Sequence, residues 1–386
     1  MYFFVGCNAG FWEKKRKPGG GYSLPDTIWT SGTSQNDEEE LRRLFYVAIT
    51  RAEQHLHISY SRFKTDGKEM EPSMFIAEIL DRHQLPHEKT VMDAEVLAEF
   101  QALQFLQPEA PKVEEMEDAF VAPLLEKFVM NVTALNNYLK CPLEFYFRNL
   151  VRIPSPKNEA TEFGSAVHDA LEKLFRKMQE RGTETFPSLV EFIDDFANYM
   201  QRHRESFTKQ QFDRRMEYGK EVLTNYYEKY INSFNKIVAI ERNIRNVVVD
   251  GVPLKGKLDK LEFEGKMVNV VDYKTGDPDK AIPKLKRPGD KDPLGGDYWR
   301  QAAFYKILVD EYELKDWKVA SVEFDFIEPD KKKNYRKERL PIDESDTGEI
   351  KGQIKMVWDK IQAREFYTGC GKEDCHWCEF VRTREA

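Results

Sequence analysis

The sequence predicts an α/β fold, a mixed sheet flanked by helices, and three observations carry that prediction. Amphipathic helical patterns fill the stretches Thr161–Gln179 and Leu189–Tyr230. Three strand-like runs follow in close succession, Ile237–Val249, Val252–Phe263 and Met267–Tyr273. A helical stretch at Tyr298–Leu308 then separates these from one more strand, Val319–Ile327. Helices first, strands in the middle, then a helix and a strand build a sheet with helices on its faces.

Length and composition set the outer bounds. At 386 residues the chain has room for two or three domains, each with its own core. Hydrophobic residues make up 41% and charged residues 33%, which excludes an integral membrane protein and a mostly disordered one. No apolar run approaches the roughly 20 residues a membrane-spanning helix needs. Met1–Trp12 lacks the basic start of a secretory signal. Five cysteines are odd and few for a secreted scaffold, so a reducing cytoplasm is the expected compartment. The net charge of −8 decides nothing about nucleic acid. Between Pro86 and Phe128 ten acidic side chains face three basic ones, a balance of −7, so the remainder is nearly neutral and able to form basic patches.

In chain order, residues 1–85 read as α/β. Tyr2–Val5 is apolar and strand-like, and Lys14–Asp37 has the composition of a long surface loop. Asp37–Ala52 is helical: Asp37 suits the N-cap, Glu38–Glu40 suit the positive end of the helix dipole, and Leu41, Leu44, Phe45 and Ala48 share a face. His55–Tyr60 alternates like a strand. A first domain that opens on a bare strand predicts that material upstream is missing. Residues 86–128 form an acidic linker punctuated by Pro108, Pro111 and Pro123, with one helix at Asp93–Leu106. From Val129 to the C-terminus the composition is globular again, and no internal repeat is present.

The chemistry concentrates in the middle strands. Gly256–Asp259, a short turn at Glu264–Lys266, and Val270–Gly276 read as a hairpin. Pairing about Gly265 brings Asp259 close to Asp272, and alternation puts Asp272 and Lys274 on one face. Two carboxylates beside a lysine form a hard-oxygen site suited to Mg²⁺ or Mn²⁺. The lysine is placed to orient attacking water and to neutralise charge developing on a phosphate. A surface hairpin with a cross-strand ion pair is the plain alternative for the triplet alone. Glu241 reads equally as an additional acidic group or as a surface glutamate.

The surroundings favour the chemical reading. Asn131–Pro142, Phe163–His168, Gly256–Asp259, Asp272–Lys274 and Gln301–Tyr305 occur in that order. The series resembles the RecB-like branch of the PD-(D/E)xK nucleases and covers roughly Asn131 to the C-terminus. The resemblance implies a restriction-endonuclease-like fold and DNA cleavage by phosphodiester hydrolysis. It further implies that His168, Asp259 and Asp272 are metal ligands, with the carbonyl of Tyr273 completing the site, and that Lys274 is the catalytic lysine. Gln301 and Tyr305, one helical turn apart, match the Q-x-x-x-Y element near the DNA path of that family.

Cys370, Cys375 and Cys378 close the chain, and Cys141 lies far upstream. Such soft thiolates suit zinc or an iron–sulfur centre. Some RecB-like nucleases resemble this, with one cysteine before the nuclease core and three after it holding a [4Fe–4S] cluster. The spacing here departs from that pattern, in which the close pair comes first, so Zn²⁺ stays open beside iron–sulfur, as does a metal-free trio. Cys7 reads as a small buried hydrophobe and His376 as exposed. The basic runs Lys280–Lys291 and Lys331–Arg339 read as solvated loops.

Glu38–Ala52 resembles the last motif of UvrD/RecB-like superfamily 1 helicases, which implies that Arg51 reaches the ATP γ-phosphate in an intact motor. No G-x-x-x-x-G-K-[ST] is present in the sequence. ATP is therefore expected to bind only in a longer parent protein, and this chain alone is expected to lack ATPase activity. Taken together, the expected protein is the C-terminal part of a RecB/AddAB-like helicase–nuclease that processes DNA ends for recombination repair. Residues 1–85 are the remnant of its motor domain and 129–386 the nuclease. Its expected partners are single-stranded DNA, the missing motor and a second helicase–nuclease subunit, with no membrane. A catalytically inactive DNA-binding or docking module, or a CRISPR-adaptation-type nuclease, are the competing readings.

Overall fold

The computed structural model divides into two compact units, residues 1–107 and 108–386. It describes residues 1–13, 37–64, 67–83, 85–91, 93, 96, 110–154, 158–182, 185–290 and 292–385. Among these, no helix is long and apolar enough to cross a membrane. The loop expected at Lys14–Asp37 and the helix expected at Asp93–Leu106 fall almost wholly outside the described residues.

In the first unit, β1 (Tyr2–Phe4) pairs in parallel with β2 (Leu56–Ile58). Among the described residues it also holds a short helical turn, Ala9–Trp12, and two longer helices, α1 (Asp37–Ile49) and α2 (Met74–Arg82). The Ser73 side chain accepts from the Ile76 N–H and so starts α2. Cys7, Phe45, Phe75 and Ile76 form a small core. Cys7 is fully buried, as its reading as a hydrophobe requires, and burial pushes its thiol up to about 11.

The second unit begins earlier than the sequence suggested. Helix α3 (Asp118–Glu126) lies in the stretch read as a linker, yet its Val121 and Leu125 are buried in the main core. After α4 (Val132–Lys140) come three long helices, α5 (Glu159–Glu180), α6 (Leu189–Arg202) and α7 (Lys209–Tyr230). The single helix expected over Leu189–Tyr230 is thus two. Thr208 and Gln211 form a reciprocal capping box that starts α7 afresh, an arrangement whose cap contributes about 1 kcal/mol.

The strands β3 (Val238–Val249), β4 (Val252–Glu264), β5 (Met267–Lys274), β6 (Lys318–Phe326) and β7 (Lys337–Leu340) form one sheet in that order. β5 and β6 are parallel and the other pairs antiparallel, so the sheet is mixed as predicted. Parallel neighbours need a crossover, and α8 (Asp297–Asp310) provides it. The hairpin turn is tighter than expected, because Glu264 already pairs with Met267. Lys337 and Arg339, expected in a solvated loop, lie in β7 and pair with Asp325 and Glu323 of β6. Two further helices, α9 (Glu344–Gln362) and α10 (His376–Glu385), end the chain.

The sheet separates two cores. On one side α8, α4 and α9 bury Trp299, Phe304, Leu308, Leu135 and Ile354 against Val268 and Val270. On the other, α5–α7 bury Phe163, Phe192, Phe196 and Tyr226 against Val271 and Tyr273. Full burial of each such phenyl ring is worth about 2–3 kcal/mol. This packing fixes the end of β5 between α5 and α8, where the predicted site residues converge.

Candidate functional site

Register places the two carboxylates. Lys260 pairs with Val271 across β4 and β5, which puts Asp259 opposite Asp272 at the end of the ladder. The Tyr273 N–H donates to Asp259 Oδ2 at 2.9 Å. From α5, His168 presents Nε2 to the Tyr273 carbonyl oxygen at 3.1 Å and Nδ1 to Asp259 Oδ2 at 3.5 Å. From α8, Gln301 Nε2 and the Tyr305 hydroxyl both donate to Asp272 Oδ1, at 2.9 and 3.0 Å. Lys274 Nζ lies 2.7 Å from Asp272 Oδ2 and donates to Gln301 Oε1 at 2.9 Å. The structure therefore brings His168, Asp259, Asp272, Tyr273, Lys274, Gln301 and Tyr305 into one cluster. Gln301 and Tyr305 bond the two site residues Asp272 and Lys274, and Tyr305 is buried among the core residues of α8.

Two motif glycines lie at close approaches. A Cβ at Gly164 would lie 3.1 Å from Thr275 Oγ1, so the bare position eases the approach of α5 to the end of β5, where His168 sits one turn later over the Tyr273 carbonyl. A Cβ at Gly256 would lie 2.5 Å from Leu308 Cδ2, so α8 comes down onto β4 only because that position is bare.

Glu241 joins the cluster. Donor atoms of His168, Glu241 and Asp259 all lie within 4.8 Å of one another. Glu241 sits between the Ile240–Lys260 and Arg242–Leu258 pairs of β3 and β4, opposite Asp259, and its φ is +51°. A left-handed glutamate inside a strand costs about 1 kcal/mol or more, and it turns the carboxylate toward the site, where Lys257 also pairs with it. Sequence reasoning left Glu241 undecided because a backbone bend of this kind leaves no mark in residue type. Tyr298 was not anticipated at all: its ring centroid lies 4.5 Å from Lys274 Nζ.

The electrostatics are those of carboxylates crowded together beside an imidazole and a lysine. Burial pushes the Asp272 carboxyl above its usual range, and the neighbouring Asp259 adds to this against the pull of Lys274. Burial likewise raises Glu241. Burial also opposes charge on Asp259, but His168, the Tyr273 N–H and Lys274 outweigh it and hold that carboxyl low. For Lys274 and His168, burial works against the charged form while the surrounding carboxylates win, so both are raised. His168, Glu241 and Asp259 converge as a hard oxygen–nitrogen donor set, with Asp272 and the Tyr273 carbonyl beside it, and such a set suits Mg²⁺ or Mn²⁺.

A second cluster stands apart from this one. The sulfurs of Cys141, Cys370, Cys375 and Cys378 lie within 4.8 Å of one another, with Cys378 3.9 Å from Cys141 and 3.7 Å from Cys370. Cys141 precedes the short helix Pro142–Phe145 and Cys378 lies on α10, so the four join the two ends of the unit. Burial raises the Cys141 thiol. At Cys375 burial acts the same way, but the Cys378 N–H and the neighbouring thiols overcome it and lower that thiol. Four thiolates at these separations are a donor set for zinc or an iron–sulfur centre. His376 is exposed, as expected. Arg51 follows α1 in the first unit and is exposed there.

The chain is similar to several known proteins. Residues 22–63 match the UvrD-like helicase C-terminal domain. One of the subunits of an ATP-dependent helicase/deoxyribonuclease from Carboxydothermus hydrogenoformans is 21% identical over 308 residues, covering 60% of this chain and 27% of that protein. The chain thus spans about a quarter of the length of that curated relative. A solved candidate exonuclease from Eubacterium rectale aligns over 69% of this chain and 93% of its own, at 14% identity and a TM-score of 0.41. Residues 129–383, the stretch that carries the carboxylates, the lysine and the four cysteines, match the model of the PD-(D/E)XK nuclease superfamily, and the chain belongs to that superfamily.

Proposed function

We infer that the chain is a divalent-metal-dependent DNA nuclease, the C-terminal part of an ATP-dependent helicase–nuclease that processes DNA ends in recombination repair. The observation that carries this reading is the convergence of His168, Glu241 and Asp259 donor atoms beside the Asp272–Lys274 pair. His168, Asp259, Asp272 and the Tyr273 carbonyl, with Glu241 beside them, would hold Mg²⁺ or Mn²⁺. When bound, such an ion supplies Lewis-acid stabilisation of the phosphate and lowers the pKa of water.

The protein's own groups do the rest. Lys274, half enclosed by Asp272, Gln301 and Tyr298, presents a fixed positive charge to the phosphodiester undergoing attack. Gln301 and Tyr305 hold Asp272 through the same oxygen and leave Oδ2 toward Lys274. His168 is braced by Asp259 at Nδ1, which fixes the imidazole orientation. A single strand delivered by the parent motor is the natural substrate, and Cys141, Cys370, Cys375 and Cys378 would hold a [4Fe–4S] cluster or Zn²⁺ that would tie the ends of the unit together. ATP and a partner subunit belong to the longer parent protein, where Arg51 would reach the γ-phosphate.

Cleavage of end-labelled single-stranded DNA by the purified chain tests this, with Mg²⁺, with EDTA, and beside Lys274→Ala. Metal-dependent cleavage that disappears in the variant supports the reading. A folded, metal-supplied chain that binds DNA without cutting it points instead to an inactive docking module.

A further inference from the structure

A groove of about 760 Å³ shares no residue with the carboxylate cluster and opens on the face that carries the cysteine-bearing end of the second unit. Its floor is apolar, built from Tyr146, Phe147, Phe380 and Val381, with Met116 and Phe120 exposed at its side. Its wall is the extended segment 112–117. That segment is already half of a ladder. Val113 N–H donates to the Tyr367 carbonyl at 2.9 Å and Gly369 N–H to the Pro111 carbonyl at 2.8 Å, with Lys112 opposite Thr368.

In an antiparallel ladder of this register, alternation turns the N–H and C=O of Lys112 and Glu114 to the other edge. Among the described residues neither backbone finds a hydrogen-bond partner there. An open strand edge beside an apolar groove is the arrangement that captures an extended polypeptide as an added strand. The charge on the rim selects among such polypeptides. Glu114, Glu115 and Glu117 are exposed; Glu115 is neutralised by Lys112 at 3.1 Å, whereas Glu114 and Glu117 have no cationic partner among the described residues.

We propose that the edge Lys112–Glu114 is a β-addition site that docks an extended segment of a partner protein, with Lys or Arg alternating with apolar side chains. The apolar side chains enter the groove over Phe147 and Phe380, the cations meet Glu114 and Glu117, and the backbone completes the ladder. The site is coupled to the cysteine cluster through the strand it extends: a Cβ at Gly369 would lie 2.6 Å from Cys378 Sγ, so the paired segment is packed directly on that thiol. This inference stands apart from the nuclease reading, and its test does not involve cleavage.

The test uses the full chain and a fluorescein-labelled peptide of alternating lysine and valine, read by anisotropy, beside the same peptide N-methylated at alternate residues. N-methylation removes the donors a new strand must supply and keeps charge and apolar surface. Saturable binding, weakened about tenfold by N-methylation and to a similar degree by Glu114→Lys, supports the proposal. So does slowed hydrogen exchange at the Lys112 and Glu114 amides on peptide addition. Phe120→Ser keeps the edge and removes apolar surface at the groove's side, and it should weaken binding while leaving the melting temperature unchanged. Equal binding of the methylated peptide, exchange unchanged at those two amides, or no saturable binding at all overturns it.

Discussion

The Tyr273 N–H donates to Asp259 Oδ2 at 2.9 Å, and the carbonyl of the same residue accepts from His168 Nε2 at 3.1 Å. The main chain of Tyr273, rather than its side chain, thus ties the two carboxylate strands to α5. Its phenol points the other way, into the core beneath α5–α7, where the hydroxyl is buried without a hydrogen-bond partner among the described residues. Tyr273→Phe should therefore leave cleavage within about twofold of wild type and raise stability by up to about 1 kcal/mol, since a buried unpaired hydroxyl is removed. Cleavage rates and urea midpoints measured together check both parts. A large loss of cleavage would show that the phenol acts in the site.

Lys274→Ala removes the ammonium that faces Asp272 Oδ2 and Gln301 Oε1. Loss of a charge aimed at the reacting phosphate is expected to slow cleavage by roughly 10²–10⁴-fold. Affinity for an oligonucleotide, measured with Ca²⁺ in place of Mg²⁺, should change only a few-fold. A variant that binds weakly but cuts at the normal rate when saturated would reverse that assignment and make Lys274 a DNA-binding group.

Glu241 is the residue on which the metal reading is most exposed to test, because it brings a carboxylate to His168 and Asp259 from a left-handed position inside β3. Glu241→Gln keeps the shape and removes one negative charge from the cluster. The Mg²⁺ concentration giving half-maximal cleavage should rise about tenfold, with the saturated rate much less affected. An unchanged metal dependence would assign Glu241 to its ion pair with Lys257 alone.

How much of this was legible in the sequence follows from what each feature depends on. The strands β3–β5 and helix α8 were, because alternation and helical spacing are local and strong, and a short turn fixes which residues face each other. Asp259, Asp272 and Lys274 followed from that register, while His168, Gln301 and Tyr305 came from the order of the motifs. The division of Leu189–Tyr230 was missed because the Thr208 cap interrupts an unbroken amphipathic pattern. The packing of α3 was missed because the acidic residues around it lie on its exposed side, while Val121 and Leu125 make the core contact. β7 was hidden because Lys337 and Arg339 read as solvated charges, although each has a carboxylate of β6 as its partner. Tertiary partners, and the bend at Glu241, are not written in local composition.

A metal held by the four cysteines would make metal content and stability one quantity. Cys141 and Cys378 are both fully buried, so an ion on their sulfurs would link the short helix Pro142–Phe145 to α10. Cys378→Ser should lose the bound metal and lower the melting temperature by several degrees or more, and a strong chelator should do the same to the wild type. Elemental analysis separates the two occupants: iron with acid-labile sulfide identifies the cluster, and one zinc per chain identifies the single ion. A variant that melts like wild type would leave the four thiols without a structural ion.

Asp346 supplies a test of the fold at a position that shares no residue with either cluster. Its carboxylate is buried at the start of α9, where burial by itself would raise its pKa. Arg287 Nε and Nη2, Trp299 Nε1 and the Asp343 N–H all donate to it, and together they hold the pKa at about 2, against an ordinary value of 3.8. A depressed carboxyl pKa contributes stability that is complete above the unfolded value and is lost as pH falls through the folded one. The contribution at neutral pH is about 2 kcal/mol. Asp346→Asn should therefore cost about that much at pH 7, and the gap between the two proteins should narrow as pH falls from 3.8 towards 2. Since Arg287 precedes α8 and Trp299 lies on it, the same change should loosen the seating of α8 on α9 and, through Gln301 and Tyr305, the hold on Asp272. Urea unfolding across that pH range reads the first effect, and a pH-independent difference between the proteins would show that the lost stability comes from packing rather than from charge.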